Sequence, residues 1–299
     1  MKNAILYYYG LHTTDIYQIN KKYSFSIKNK NYVLLPFEGN DIERIYKLSL
    51  FTRENGLKTH EIILNKESKL ITIINDIPYV LLLTNINSDE VIKMSDLVLF
   101  NNTISTYQKN YDLVNLWKEK IDYIEYQMSQ FGRKHKLIEK SINYYIGLAE
   151  TAISLIEYLD SEEIPICVAH NRIKATTTMF DFYNPLNLVL DSRVRDFTEY
   201  FKFKFFKDYD IKEELILYFS NSNLSNSEYI IFLARMLFPT YYFDLYEEII
   251  VSDLDENILN KVLVKVDSYQ KLLTNIYTYI SNYINIPDIE WLKKDVILH

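Results

Sequence analysis

Glycine, proline and cysteine are all scarce in this chain of 299 residues, which contains 5, 6 and 1 of them respectively. So little glycine and proline excludes a long flexible linker, a low-complexity tail and a fold made mostly of loops. The single cysteine, Cys167, excludes an internal disulfide and a cysteine-rich metal site. Because it lies in the apolar run ICVA, we expect a buried structural thiol.

Long hydrophobic runs are also absent. No window approaches the roughly 18 consecutive apolar residues that identify a membrane-spanning helix. The apolar stretch in the first ten residues, MKNAILYYYG, is too short for a signal sequence. The formal net charge is −7 and the pI is near 5.4, so the surface should bind phosphates poorly. We therefore expect synthesis in the cytoplasm, no membrane segment and no nucleic-acid partner.

What the chain does contain is 48% hydrophobic residues in two distinct patterns. Short runs rich in β-branched and aromatic residues predict strands at 5–9, 23–27, 32–37, 60–64, 70–75 and 79–84. The segments KNKN and NDIP predict tight hairpin turns between neighbouring strands. One amphipathic helix interrupts the strands, with Asn40 or Asp41 as its N-cap and Gly56 at its end.

Helical periodicity dominates after residue 84. Residues 109–131 and 133–160 are predicted as long amphipathic helices, short strands at 164–169 and 188–190 flank a loop, and helices continue from 192 to the end. The sequence thus predicts an α+β fold of one domain in two lobes. The first is an antiparallel β-rich lobe with one main helix, residues 1–84, and the second is a mostly helical lobe, residues 85–299.

Three segments resemble a known family. AHNRI begins at Ala169, PLNLVLDSRVRDFTEYFK covers residues 185–202, and LARMLFPTYYFDLYEEI covers residues 233–249. Together with the element order they resemble the protein-kinase-like fold in its aminoglycoside-phosphotransferase branch. The last two segments resemble the spore-coat subset of that fold, the CotS and YutH-type proteins of spore-forming Firmicutes, in which D-x-x-x-R-D-x-x-E-Y and R-x-L-F-P-x-Y-Y-F-D recur. The resemblance implies a bilobal kinase-like fold and a place in the endospore coat.

The parts that phosphoryl transfer requires are a phosphate cradle, a lysine on the phosphates, a metal site and a residue that positions the nucleophile. The cradle region, residues 10–24, has Gly10 as its only glycine. Leu35 and Pro36 stand where the resemblance places the lysine. Arg172 stands two residues after His170, where the resemblance places a catalytic aspartate, and a guanidinium cannot accept a proton. The loop continues as KATTT, without the expected metal-binding asparagine.

One acidic position of the resemblance is retained. Asp191 follows an apolar strand, where the resemblance places the main metal-binding aspartate. A single carboxylate is a poor magnesium site, so we expect Asp191 to pair with Arg172 or Arg193, and a residual metal site at Asp191 is the alternative.

A second aspartate, Asp196, begins the following helix. The resemblance implies that its carboxylate accepts hydrogen bonds from backbone amides of residues 169–173. With Arg195 and Glu199 beside it, Asp196 is expected to support that loop, together with His170, whether or not the loop performs chemistry.

These observations favour a catalytically degenerate kinase-fold protein with no cofactor, whose degenerate loop consists of His170, Asn171 and Arg172. The resemblance implies a binding or structural role in the coat, with other coat proteins or further copies of the chain as partners. Two alternatives stay open: an active small-molecule phosphotransferase with a rearranged site, and a nucleotide-binding pseudokinase.

Overall fold

The computed structural model describes residues 1–39, 41–108, 112–131, 134–159, 162–252 and 254–293. The chain forms two compact units, which are Met1–Ser105 with Cys167–Asp191 and Thr106–Ile166 with Ser192–His299. The predicted α+β class is confirmed, because an antiparallel sheet occupies the N-terminal part and helices dominate the C-terminal part. The division into lobes at residue 84 stays a prediction.

A six-stranded antiparallel sheet forms the first unit's framework, in the order β1-β2-β3-β6-β4, with β5 also paired to β6. Its strands are β1 (Tyr17–Ile19), β2 (Lys22–Ile27), β3 (Lys30–Pro36), β4 (Glu61–Ile63), β5 (Thr72–Ile74) and β6 (Ile77–Thr84). Both predicted hairpin turns are present. Lys28 and Asn29 join β2 to β3, Asn75 and Asp76 join β5 to β6, and all four have the positive φ that two-residue hairpin turns require.

The predicted strand at residues 5–9 is wrong, because Lys2–Tyr9 forms a helix, α1. Gly10 ends it in the left-handed conformation, with φ 70°, and its amide donates to the Leu6 carbonyl. Ile5 is fully buried among sheet residues that include Phe25 and Leu34. Packing of one helical face and a glycine cap therefore outweigh the strand preference of a tyrosine-rich run.

The predicted main helix of the first unit is confirmed as α2 (Ile42–Glu54). The Asp41 carboxylate caps it by accepting the Arg44 amide at 3.0 Å. Gly56 follows with φ 83°. Asn40, the other predicted cap, lies outside the described residues. Two further helices were not predicted, α3 (Met94–Asn101) and the short α6 (Met179–Phe182).

A second sheet has three strands in the order β7-β8-β9. The strands β8 (Ile164–His170) and β9 (Leu188–Ser192) were predicted, whereas β7 (Ile104–Gln108) was not. The segment TISTYQ is mostly polar, so its own pattern gives little strand signal.

The second unit is built from helices. They are α4 (Leu113–Phe131), α5 (Lys136–Glu157), α7 (Arg195–Phe206), α8 (Lys212–Asn221), α9 (Asn226–Leu237), α10 (Thr240–Ser252), α11 (Asn260–Leu263), α12 (Val266–Ser281) and α13 (Glu290–Lys293). Helix α9 is central, since ten of its twelve residues are buried and α5, α7 and α12 pack against it. The two predicted long helices are confirmed as α4 and α5; residues 109–111, 132–133 and 160 lie outside the described residues.

Candidate binding cavity and the loop after β8

The predicted catalytic loop begins at the end of β8, a strand in which every residue is buried. His170 ends the strand and is 2% exposed. Its Nε2 donates to the Phe182 carbonyl at 2.9 Å, and its ring stacks on the Phe182 ring with centroids 4.4 Å apart. Phe100 packs edge-on against the same imidazole. His170 therefore fixes the segment that contains Phe182, and its predicted role in supporting the loop together with Asp196 stays a prediction.

Beyond His170 the loop turns outward. Asn171 and Arg172 are exposed, and Ile173 is buried again. The Asn171 amide donates to the Asn187 carbonyl at 2.7 Å, which holds the loop against the segment before β9. Asp191 is buried within β9. The pairing of Asp191 with Arg172, and the alternative metal site at Asp191, remain predictions.

A second buried histidine, His60, fixes the same segment, and the sequence did not single it out. Its Nε2 donates to the Phe180 carbonyl at 3.0 Å, its Nδ1 accepts the Asn85 amide at 3.2 Å, and its ring packs on the Phe180 ring. Burial lowers the pKa of His60 to about 4, although the Phe180 carbonyl and the Asp181 carboxylate oppose this and Lys22 adds to it. His60 is therefore neutral near pH 7. Its partners lie 25 and 120 residues away in sequence, so no local motif marks it.

A cavity of about 880 Å³ opens in the first unit. The β1–β2 turn, the end of β3, the start of α2 and residues 184–189 line it. Its apolar wall includes Leu35 and Pro36 at the end of β3, with Leu48, Leu188 and Val189 from the other segments. The position assigned by resemblance to a phosphate-binding lysine is thus an apolar part of the wall.

The charged part of the lining comes from other elements. Lys21 and Lys22 extend from the β1–β2 turn and Arg44 from α2. The Lys22 ammonium lies 4.2 Å from the centre of the Phe180 ring, a cation–π contact. These cations were missed because the hairpin that carries Lys21 and Lys22 was not predicted: β1 is exposed on both faces, so it has no hydrophobic alternation.

The other predicted site residues lie in the second unit, on α7. Asp196 is buried in the first turn of this helix. Its hydrogen bonding to residues 169–173 stays a prediction. Arg193, which precedes α7, forms a bidentate ion pair with Glu228, at 2.5 and 2.6 Å. Because Glu228 is 1% exposed, this pair fixes the start of α7 to α9.

Glu199 takes part in a largely buried network of polar side chains. Its carboxylate pairs at 2.7 Å with Lys202, which is 3% exposed. The Lys202 ammonium also donates to the Arg235 carbonyl at 3.1 Å and to the Thr240 hydroxyl at 2.8 Å. Burial alone would raise the pKa of Glu199, but the charge and hydrogen bond of Lys202, with Arg195 and Arg235, hold it below its usual value. Burial lowers the pKa of Lys202, and Glu199 opposes this.

The sequence of the chain matches a known protein family. The sequence profile of the family described as "Spore coat putative kinase YutH" matches residues 2–276. The chain belongs to this family. A curated relative, the endospore coat-associated protein YutH of Bacillus subtilis (strain 168), is 25% identical over 206 residues. That match covers 60% of the present chain and 61% of the YutH protein, so the chain matches less than two thirds of its relative's length.

Similarity to solved structures shows which fold the present chain has. An aminoglycoside phosphotransferase from Alicyclobacillus acidocaldarius has a TM-score of 0.68 at 12% identity, with 94% of this chain and 97% of that one covered. A spectinomycin phosphotransferase, solved with ADP and spectinomycin, has a TM-score of 0.57 at 12% identity, with 95% and 93% covered. The predicted kinase-like fold is therefore confirmed.

None of the helices in the described part of the chain is both long and apolar enough to traverse a bilayer. Within the same described ranges, no group of three or more His, Cys, Asp or Glu side chains is arranged to hold a metal ion.

Proposed function

We propose that this protein is a catalytically degenerate member of the kinase-like fold that has a binding or structural role in the endospore coat. The observation that carries this proposal is the end of β3, where Leu35 and Pro36 line the cavity. Leu35 pairs with Val80 and Pro36 with Tyr79 of the neighbouring strand, so β3 is in regular register there. An alkyl side chain and a proline ring offer no charge to a triphosphate.

The loop gives independent support. Its histidine is occupied in holding Phe182, and the next two residues, Asn171 and Arg172, are exposed. A guanidinium stays protonated and cannot accept a proton from a substrate hydroxyl. Cradle, lysine, base and second metal ligand would all have to be replaced for phosphoryl transfer, because the reaction needs them together.

The coat role follows from family membership and from the relative that is named an endospore coat-associated protein. The partners we propose are other coat proteins or further copies of this chain. An antibody against the chain should recover it from the coat fraction of purified spores. Recovery only in the soluble lysate of sporulating cells would contradict the coat assignment, but it would not bear on the proposed lack of catalysis.

Thermal unfolding with ATP and Mg²⁺ tests the degenerate cavity. A ligand that binds only the folded state adds about 2.7 kcal/mol of stability at ~100 times its dissociation constant. We expect no shift of the unfolding midpoint relative to Mg²⁺ alone. A magnesium-dependent shift with ATP would refute the proposal.

A nucleotide-binding pseudokinase is the second candidate, and the position of Lys22 favours it, because a cation from β2 reaches the cavity that β3 leaves uncharged. In that case Lys22→Ala would abolish an ATP-dependent shift that the Lys47→Ala control, on an exposed part of α2, would retain. Release of ADP in a coupled assay would instead establish an active phosphotransferase with a rearranged site.

A further inference from the structure

Three cations border the cavity of the first unit, and none of them forms an ion pair within the described residues. Lys21 and Arg44 are exposed, and Lys22 contacts the Phe180 ring. Elsewhere in the same unit the half-buried Arg53 does pair, with Glu61 at 3.0 Å. The cavity therefore presents positive charge that forms no ion pair with a carboxylate in the described part of the chain.

Two carboxylates also line the cavity and reduce the net charge of its lining. Asp41 is committed to capping α2, since it accepts the Arg44 amide at 3.0 Å. Glu38 is exposed at the rim. Lys21, Lys22 and Arg44 exceed these two by one charge. The cavity lining is therefore positive in a chain whose formal net charge is −7.

The rest of the lining is suited to an apolar group. Leu48 is buried beneath the cavity, and Leu186 and Val189 add half-buried alkyl surface. The volume, about 880 Å³, falls within the ~300–1,000 Å³ typical of sites for small molecules. Size, apolar wall and cationic rim together specify a ligand that is compact, partly apolar and negatively charged.

We propose that this cavity binds an amphipathic organic anion, a small molecule with an apolar body and one carboxylate, phosphate or sulfonate group. The apolar body packs on Leu35, Leu48 and Val189, and the anionic group lies near Lys21 and Arg44. This assignment rests on the proposed function, because a cavity that held magnesium and ATP would bind a triphosphate in the same space.

The probe that matches this chemistry is 1-anilinonaphthalene-8-sulfonate, which combines an apolar body with a sulfonate. Titration of the full chain is expected to show one saturable site by fluorescence. Arg44→Glu and Lys21→Glu should each raise the dissociation constant by about ten-fold, since an attraction becomes a repulsion. Both residues are exposed, so neither change removes a core contact.

Two control variants locate the site. Lys47→Glu makes the same charge change on α2 at a residue that does not line the cavity, and it should leave the dissociation constant unchanged. Ile216→Glu alters a separate apolar cavity of about 550 Å³ in the second unit, and it should also have no effect. The neutral analogue N-phenyl-1-naphthylamine should bind wild type and Arg44→Glu equally.

The outcomes separate this inference from the proposed function. The probe binds elsewhere, and the inference is wrong, if Lys47→Glu weakens binding of the sulfonate probe as much as Arg44→Glu does, or if Ile216→Glu abolishes that binding. Neither result contradicts the proposed function. If ATP with Mg²⁺ displaces the probe in a magnesium-dependent way, the proposed function fails as well. Selective loss in Arg44→Glu and Lys21→Glu, without competition by ATP, supports both.

Discussion

Acid should destabilise this protein through His60, and the size of the effect follows from its surroundings. Burial lowers the pKa of His60 from 6.5 to about 4, and its Nδ1 has no proton because it accepts the Asn85 amide. Protonation would break that hydrogen bond and place a charge in the interior near Lys22. The Asp181 carboxylate and the Phe180 carbonyl favour the charged form but do not outweigh burial.

The sign of the effect is fixed by linkage. Above pH 6.5 the imidazole is neutral in both the folded and the unfolded chain, so His60 gives no pH dependence. Between pH 6.5 and about 4 the unfolded chain binds a proton that the folded chain does not, and stability falls. At about 1.36 kcal/mol per pKa unit, the full loss is about 3 kcal/mol, most of which has appeared by pH 4.5.

The assay is urea denaturation at a series of pH values from 7.5 to 4.5, for wild type and His60→Gln. Gln keeps a side-chain donor for the Phe180 carbonyl but has no titrating ring. Other acid-sensitive groups contribute equally to both proteins, so the difference isolates His60. We expect the stability advantage of wild type over His60→Gln to fall by about 2–3 kcal/mol between pH 7.5 and pH 4.5. A gap that stays constant would refute the argument, and His12→Gln, an exposed histidine, serves as the control.

Three further predictions concern the network, the loop and the tyrosines. Lys202→Met should lower the free energy of unfolding by about 3 kcal/mol, because it leaves the Glu199 carboxylate without its cation. Lys69→Met, which removes an exposed ion pair, should lower it far less in the same denaturation assay. Arg172→Asp should yield no ADP release, since Leu35 and Pro36 remain at the end of β3; measurable turnover would contradict the degenerate site. Peroxidase with peroxide should give dityrosine fluorescence and cross-linked oligomers through exposed tyrosines such as Tyr7 and Tyr283. If the variant with both Tyr7→Phe and Tyr283→Phe forms as many oligomers as wild type, these two tyrosines are not the cross-linking residues.

Turn chemistry explains why much of the sheet could be predicted from sequence. The hairpin turns at Lys28–Asn29 and Asn75–Asp76 depend on residues that tolerate positive φ, and that preference is local. The N-cap at Asp41 is likewise a local interaction, between the carboxylate and the Arg44 amide. By contrast, α1 depends on where Ile5 can be buried, which only the folded sheet decides.

The residues of the candidate site also differ in whether the sequence alone could identify them. The loop, Asp191 and Asp196 were singled out because their segments resemble those of the kinase-like family. His60 could not be found, because its role is set by the Phe180 carbonyl, 120 residues away. Lys21 and Lys22 could not be assigned either, since their importance comes from the cavity that the β1–β2 turn happens to border.

The two segments that suggested the family contact each other in the second unit through one buried lysine. Glu199 belongs to the first segment and Arg235 to the second, and the Lys202 ammonium contacts the carboxylate of one and the carbonyl of the other. It also binds the Thr240 hydroxyl at the start of α10. One buried cation thus connects α7, the end of α9 and the start of α10. Removing any of its acceptors leaves a buried charge short of a partner, which costs stability whether or not phosphate is ever transferred. These segments therefore identify an interior architecture, and the chemistry has to be judged separately, at β3 and at the loop.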